Sequence, residues 1–262
     1  MSAQRQLEVI AAVSPATPRR RRMSALARRE AIAAYLFLLP NAAGFLIFTF
    51  LAVLAALGLS FTDWDILSPM KWVGLENYRQ LFHDTIFHKV LANTILYVLG
   101  TVPVRMALAL AAALALNRPL RGVLVYRTAF FMPVVSSTVA VALVWRWLYH
   151  NDFGLINDLL YRLGVEHPPR WLLSTTWALP ALIIMSIWQG LGFSMVLFLA
   201  GLQSIPQQLH EAAEIDGAGR WAQFRHITLP MLSPTTFFVL VINVINSFQV
   251  FDQALVMTGG GP

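Results

Sequence analysis

Asn243, Asn246 and Ser247 stand at i, i+3 and i+4 in an apolar run with no Asp, Glu, Lys or Arg between Arg225 and Asp252. On a helix that spacing puts two amides and a hydroxyl on one face, with Gln253 at its edge. A second run, free of such charges between Arg170 and Glu211, carries Ser186, Trp188, Gln189, Gly190 and Ser194. An aromatic ring beside amides and hydroxyls suits a sugar, whose C–H faces stack on the ring while its hydroxyls exchange hydrogen bonds. Trp188, Gln189, Gly190, Asn243, Asn246 and Ser247 are therefore candidates to line a solute path. The same groups also suit hydrogen bonding between helices with no ligand involved. Arg105 lies in the middle of another apolar run, with no acidic residue in its own segment. A charge at that depth of a membrane costs about 2.5–3.5 kcal/mol on insertion scales, so it must face a partner or water. An interior contact and an anionic solute would each meet that need.

Several other chemistries lack their residues. The chain has no cysteine, which removes disulfides, iron–sulfur clusters and thiol catalysis. The only lysines are Lys71 and Lys89, and no Gly-x-x-x-x-Gly-Lys-Ser/Thr run exists to hold a nucleotide phosphate. His83, His88, His150, His167, His210 and His226 show no metal-ligand spacing, so no metal site is expected. No paired carboxylates and no nucleophile–base set lie inside the apolar runs, and the chain is not expected to be an enzyme.

The elements that must position these groups follow from composition. Of 262 residues, 57% are apolar and 12% charged, against about 25% charged in a typical soluble domain. Lipid must be the solvent for much of such a chain. A membrane helix needs about 20 mostly apolar residues, and the segments Ala33–Leu59, Leu91–Leu116, Ala129–Tyr149, Leu179–Leu202 and Pro234–Met257 qualify. The expected fold is all-α, a polytopic membrane helix bundle with five visible spans. Residues 1–29 read as a flexible basic cytoplasmic tail, and 30–262 as the membrane domain. The uncharged run from Ala31 to Thr62 is far longer than the roughly 7–15 apolar residues of a cleaved signal peptide.

Orientation follows from the basic residues. The tail, the 117–127 loop and the 211–230 loop carry twelve Lys or Arg, while the alternate loops carry five. By the positive-inside rule the amino terminus and the 211–230 loop are cytoplasmic. The net charge of +6 comes largely from the arginines ahead of the first span, so it sets topology and implies no nucleic acid. Trp64, Trp72, Trp145, Trp147, Trp171 and Trp177 then fall near the outer face, where indoles favour the lipid–water boundary.

Residues 211–230 form a polar island between two long apolar runs. Pro206 suits a first helical turn, helix-favouring residues run from Gln207 to Ile215, and Gly217 is placed to take a positive φ at the helix end. A second helix would carry Trp221, Phe224 and Ile227 along one side until Pro230 stops it. Ala212 and Ala213 keep one face low enough for another backbone to approach, and Glu211 offers a carboxylate to an arginine across an interface. Alone, such a pair also suits an amphipathic loop lying on lipid headgroups.

The pattern Glu211-Ala212-Ala213, Gly217 and Ile227-x-Leu229-Pro230 resembles the EAA loop of binding-protein-dependent ABC importer permeases. Asn117-Arg118-Pro119-Leu120-Arg121-Gly122, Trp145-Arg146-Trp147-Leu148, Leu199-Ala200-Gly201-Leu202-Gln203-Ser204-Ile205-Pro206 and Val250-Phe251-Asp252-Gln253 resemble the sugar-type branch, to which maltose and glycerol-3-phosphate permeases belong. The resemblance implies a coupling loop at 203–232 that docks in a groove of an ATP-hydrolysing subunit. Glu211, Ala212, Ala213, Asp216, Gly217, Ile227, Leu229 and Pro230 would carry it. It implies an ABC ATPase dimer, a second permease and an extracytoplasmic solute-binding protein as partners, in a bacterial plasma (inner) membrane. No cofactor is expected on this chain, since ATP would be used by the partner subunits. Permeases of this kind have a six-helix core, and Met257-Thr258-Gly259-Gly260-Gly261-Pro262 resembles the loop before its last helix, so the sequence is expected to lack that helix. The alternative is a self-contained secondary transporter or channel, which an acidic residue buried in a span would favour; none is expected, since Asp252 lies near the outer end of its segment. A membrane receptor that recruits a soluble partner without transport is a weaker one.

Overall fold

The computed structural model describes residues 24–118 and 121–261. The chain forms two compact units, Met1–His83 and Asp84–Pro262. Of the predicted basic tail, residues 1–23 lie outside the described residues, as do Pro119, Leu120 and Pro262.

In the first unit, Ser24 caps helix α1 (Ala25–Leu59) by accepting the Ala27 amide at 3.2 Å. The helix thus begins inside the segment read as a tail, because a serine cap precedes residues that favour helix. Phe45–Phe50 adopt π-type hydrogen bonding within α1. A short antiparallel pair follows, β1 (Thr62–Asp63) against β2 (Lys71–Trp72), and then α2 (Glu76–His83). The Asn77 amide ties this hairpin by donating to the carbonyls of Ser60 (3.0 Å) and Thr62 (2.9 Å), and Phe61 stacks on Trp72. Between the strands, the Ser68 hydroxyl and amide donate to Asp65 and hold its carboxyl below the usual carboxylate range.

The second unit contains α3 (Thr85–Leu116), α4 (Val123–Val135), α5 (Thr138–Leu148), α6 (Leu155–Arg162) and α7 (Ala178–Gln203). After these come α8 (Gln207–Ile215), α9 (Arg220–Met231, with π-type bonding over Phe224–Thr228), α10 (Ser233–Phe248) and α11 (Asp252–Thr258). At 1.5 Å per residue α3 and α7 reach about 48 and 39 Å, enough to cross a hydrocarbon core of about 30 Å. They pack along each other, with α10 against both and α4 against α7.

Two of the predicted spans are not straight helices. The segment read as Ala129–Tyr149 breaks at Ser136–Ser137, where α4 and α5 meet at 98°. Ser136 is extended and Ser137 has left the helical region (φ −56°, ψ 129°), and the Ser136 hydroxyl donates back to the Met132 carbonyl at 3.1 Å. Pro133, lacking an amide, weakens the helix just before the break. The segment read as Pro234–Met257 stops at Phe248, and α11 starts afresh at Asp252. Among the described residues, three helices are long and apolar enough to cross a membrane, or up to five if each bent pair is one span.

Two apolar cores bracket a polar layer. One gathers Tyr97, Val141, Ala142, Tyr149, Ala181, Met185 and Met257. The other gathers Ala109, Ala113, Met195, Phe198, Leu232 and Val239. Along α3, α7 and α10 the buried polar groups Thr101, Arg105, Ser186, Ser194, Asn243 and Ser247 fall outside both clusters or between them. Gly192 lets α7 meet α4 closely, since a Cβ there would lie 2.0 Å from the Phe130 carbonyl oxygen. Gly192→Val is therefore expected to cut the yield of monodisperse protein in detergent several-fold, read by size-exclusion chromatography; an unchanged profile would show that the contact relaxes.

Of the tryptophans assigned to an interfacial belt, Trp64, Trp72, Trp147 and Trp177 are exposed and Trp145 is half-buried. Trp171 does not belong with them. It is 9% exposed, its indole N–H donates to Asn157 at 2.8 Å, and its ring lies 5.2 Å from those of Tyr149 and Trp177. A buried indole with its polar atom satisfied is a core residue.

Candidate solute cleft and coupling loop

A cleft of about 330 Å³ opens between α3, α7 and α10 and is lined by polar side chains from each. From α3 come Tyr97 and Arg105; with Thr101 they form a stripe at intervals of four, one helical face. From α7 come Ser186, Gln189 and Gly190, and from α10 Asn243, Asn246 and Ser247. Gln253 returns to the same cleft from α11, despite the broken helix, and donates to the Tyr97 hydroxyl at 3.4 Å. Val134, Thr138 and Phe193 complete the wall.

Five of the six path candidates named from the sequence thus share this cleft. Trp188 does not. It lines a separate apolar pocket with Tyr126, Phe130 and Pro133 and packs edge-on against Trp145 at 5.7 Å. The 100° turn per residue puts it on another face of α7 from Gln189 and Gly190. Tyr97, Thr138 and Phe193 were not anticipated; for Tyr97 the signal was available in its four-residue spacing from Thr101 and Arg105.

Arg105 is buried, and its hydrogen bonds organise the cleft. Its Nη1 donates to Asn243 Oδ1 at 2.9 Å and its Nη2 to the Ser186 carbonyl at 2.6 Å. The Asn243 amide nitrogen in turn donates to Ser194 Oγ (3.1 Å) and to the Val239 carbonyl (2.8 Å). Asn243 therefore serves helix–helix bonding as well as lining the cleft. Gly190 makes room for the guanidinium, since a Cβ there would lie 2.6 Å from Arg105 Cζ. A hydrogen bond to a buried charged group is worth about 1.5–3 kcal/mol. Asn243→Ala is expected to lower the melting temperature of the purified chain by several degrees; an unchanged value would mean that Arg105 finds another acceptor.

The polar island forms two helices joined at Gly217. Gly217 has φ +78°, its amide donates to the Glu214 carbonyl at 3.0 Å, and the Ala218 amide donates to the Ala213 carbonyl at 2.8 Å. Those two bonds form a Schellman motif, which satisfies the carbonyls at the end of α8. Gln223 fastens the bend, donating to the Ala218 carbonyl at 3.0 Å and pairing with His210 at 3.1 Å. Glu211, Ala212, Asp216 and Gly217 are exposed, as are Leu229 and Pro230, while Ala213 and Ile227 are half-buried. Glu211 accepts from the Gln207 side chain at 2.8 Å. Trp221, 72% exposed, stacks on Phe224.

Pro230 does not end the second helix. The Leu229 amide bonds to the Phe224 carbonyl five residues back, and this wider turn carries the chain past the proline, which has no amide to place. The bend falls at Leu232 instead, where α9 and α10 meet at 63°. The coupling-loop candidate is therefore joined directly to the helix that lines the cleft.

A membrane helix bundle with a buried polar cleft, joined through one bend to an exposed helix pair, defines a solute permease. Residues 105–262 match the family described as "Binding-protein-dependent transport system inner membrane component", and the chain belongs to that family of ABC transport permeases. It is 42% identical over 235 residues to the probable ABC transporter permease protein YesP of Bacillus subtilis, covering 89% of this chain and 75% of that protein. It is 37% identical over 240 residues to the trehalose/maltose transport system permease protein MalF of Thermococcus litoralis, covering 91% and 81%. Among solved structures it resembles a bacterial alginate ABC transporter in complex with an alginate pentasaccharide-bound periplasmic protein. The TM-score is 0.70 at 27% identity, over 82% of this chain and 72% of that one.

Proposed function

We propose that the chain is one of two permease subunits of an ATP-driven importer that moves a saccharide or related solute inward across a bacterial plasma membrane. Its relatives for trehalose and maltose and for alginate support a saccharide. The amides and hydroxyls of Gln189, Asn246, Ser247 and Gln253 suit its hydroxyl groups. A second permease supplies the facing wall, an extracytoplasmic binding protein delivers the solute, and an ATPase dimer binds and hydrolyses the ATP. The amino terminus and α8–α9 face the cytoplasm, in keeping with the basic residues on that side.

The observation that carries this reading is mechanical. α9 of the exposed pair runs through the Leu232 bend into α10, whose face bears Asn243, Asn246 and Ser247. Closure of an ATPase dimer against α8 and α9 would rotate α10 and change access to the cleft. In this reading Glu211 pairs with a basic group of the ATPase, Ala212 and Ala213 allow close approach, and Asp216–Gly217 set the angle. Ile227, Leu229 and Pro230 hold the second helix against its groove. The test is affinity purification of the tagged chain from native membranes. Retention of an ATPase and a second permease is the expected result, and recovery of the chain alone would contradict the assembly.

A further inference from the structure

Arg105 is 8% exposed and lines the cleft, yet among the described residues no carboxylate faces it. Its Nη atoms donate to neutral oxygens of Asn243 and Ser186, and its Nε has no partner. Ser247 Oγ, in a residue 3% exposed on the same cleft, also lacks a partner. A cleft for a neutral polyol needs amides and hydroxyls but no fixed cation. A guanidinium removed from water and left with neutral partners is stabilised most by an anion that enters beside it.

We infer that the solute is a saccharide bearing an anionic group, a carboxylate, sulfonate or phosphate. This rests on reading the cleft as the transport path. The anionic group meets the Arg105 guanidinium and the Ser247 hydroxyl, and the sugar hydroxyls meet Gln189, Asn246 and Gln253. Arg105 is then the residue that selects charge. Because Gly190 leaves room for the guanidinium and Asn243 orients it, the cation is presented without having to reorganise.

The test uses cells lacking the gene, complemented with the full chain alongside its native partner subunits. Uptake is measured for a panel in which uronate disaccharides, sulfonated sugars and sugar phosphates are each paired with a neutral counterpart. The wild-type chain is expected to restore uptake of a charged member at least tenfold above its neutral partner. Arg105→Gln should remove that preference, lowering uptake of the charged member at least tenfold at equal membrane abundance. Arg105→Lys, which keeps a point charge but loses the planar fork, should retain part of it. Restoration of neutral members alone, or full uptake of the charged member by Arg105→Gln, would overturn the inference. Asn246→Trp separates the two levels: if it blocks whatever is imported, the path stands and only the charge selection falls. If it blocks nothing, or if deletion of the gene costs no uptake, the path reading falls and the inference with it.

Discussion

Gly217→Pro is expected to reduce solute uptake to the level of a strain lacking the gene while membrane abundance stays within about twofold. Proline fixes φ near −65°, and residue 217 sits at +78°. The substitution also deletes the amide that donates to the Glu214 carbonyl, so the Schellman turn ending α8 cannot form. The angle between α8 and α9 must change, and with it the surface offered by Glu211, Ala212 and Ala213. Neither apolar core of the second unit includes residues of α8 or of the Asp216–Gly219 turn, so insertion and packing of the spans should survive. Gly217→Ala should be milder, because the left-handed conformation costs a non-glycine residue about 1–2 kcal/mol. The measurement is uptake of a labelled solute beside quantitative immunoblotting of membranes. Normal uptake by Gly217→Pro would remove the coupling role from this loop.

Asn246→Trp is the second large effect. Asn246 is exposed to the cleft and its side chain forms no hydrogen bond among the described residues, so an indole can replace its amide without breaking a core contact. The ring would occupy much of a cleft of about 330 Å³ and remove an amide that a solute could bind. Uptake should fall at least tenfold, with the chain still retained in its complex. Uptake unchanged in rate and affinity would show that the solute passes elsewhere. Asn243 is less suited to this test, since its loss also strips a partner from Arg105.

Much of this was legible because burial in lipid leaves plain marks. A charge-free run announced the long span α7, an apolar run interrupted only by Arg105 announced α3, and Pro206, Gly217 and the alanines announced the helix pair, since each acts through local backbone chemistry. The 98° break at Ser136–Ser137 was hidden, because two serines in an apolar run look the same whether the helix continues or turns back. Pro230 misled for a related reason: proline forbids one hydrogen bond, and a π-type turn over Phe224–Thr228 removes the need for it. Trp188 shared its neighbours' sequence but not their face. Tyr97 was missed although its spacing from Arg105 pointed at the same cleft. The bond from Arg105 to Asn243 joins residues 138 apart, and no local pattern reports a contact at that separation.

The absence of native cysteine makes one measurement direct. A single cysteine introduced as Ala213→Cys, half-buried beside the exposed face of α8, provides the only thiol in the chain. Native membranes would be treated with a short photoactivatable thiol reagent, and the cross-linked product identified by mass spectrometry. The account predicts a product with an ABC ATPase subunit, reduced when Gly217→Pro is added and unaffected by Asn246→Trp. A product with lipid alone, or an ATPase product that Gly217→Pro leaves unchanged, would contradict coupling through the α8–α9 turn.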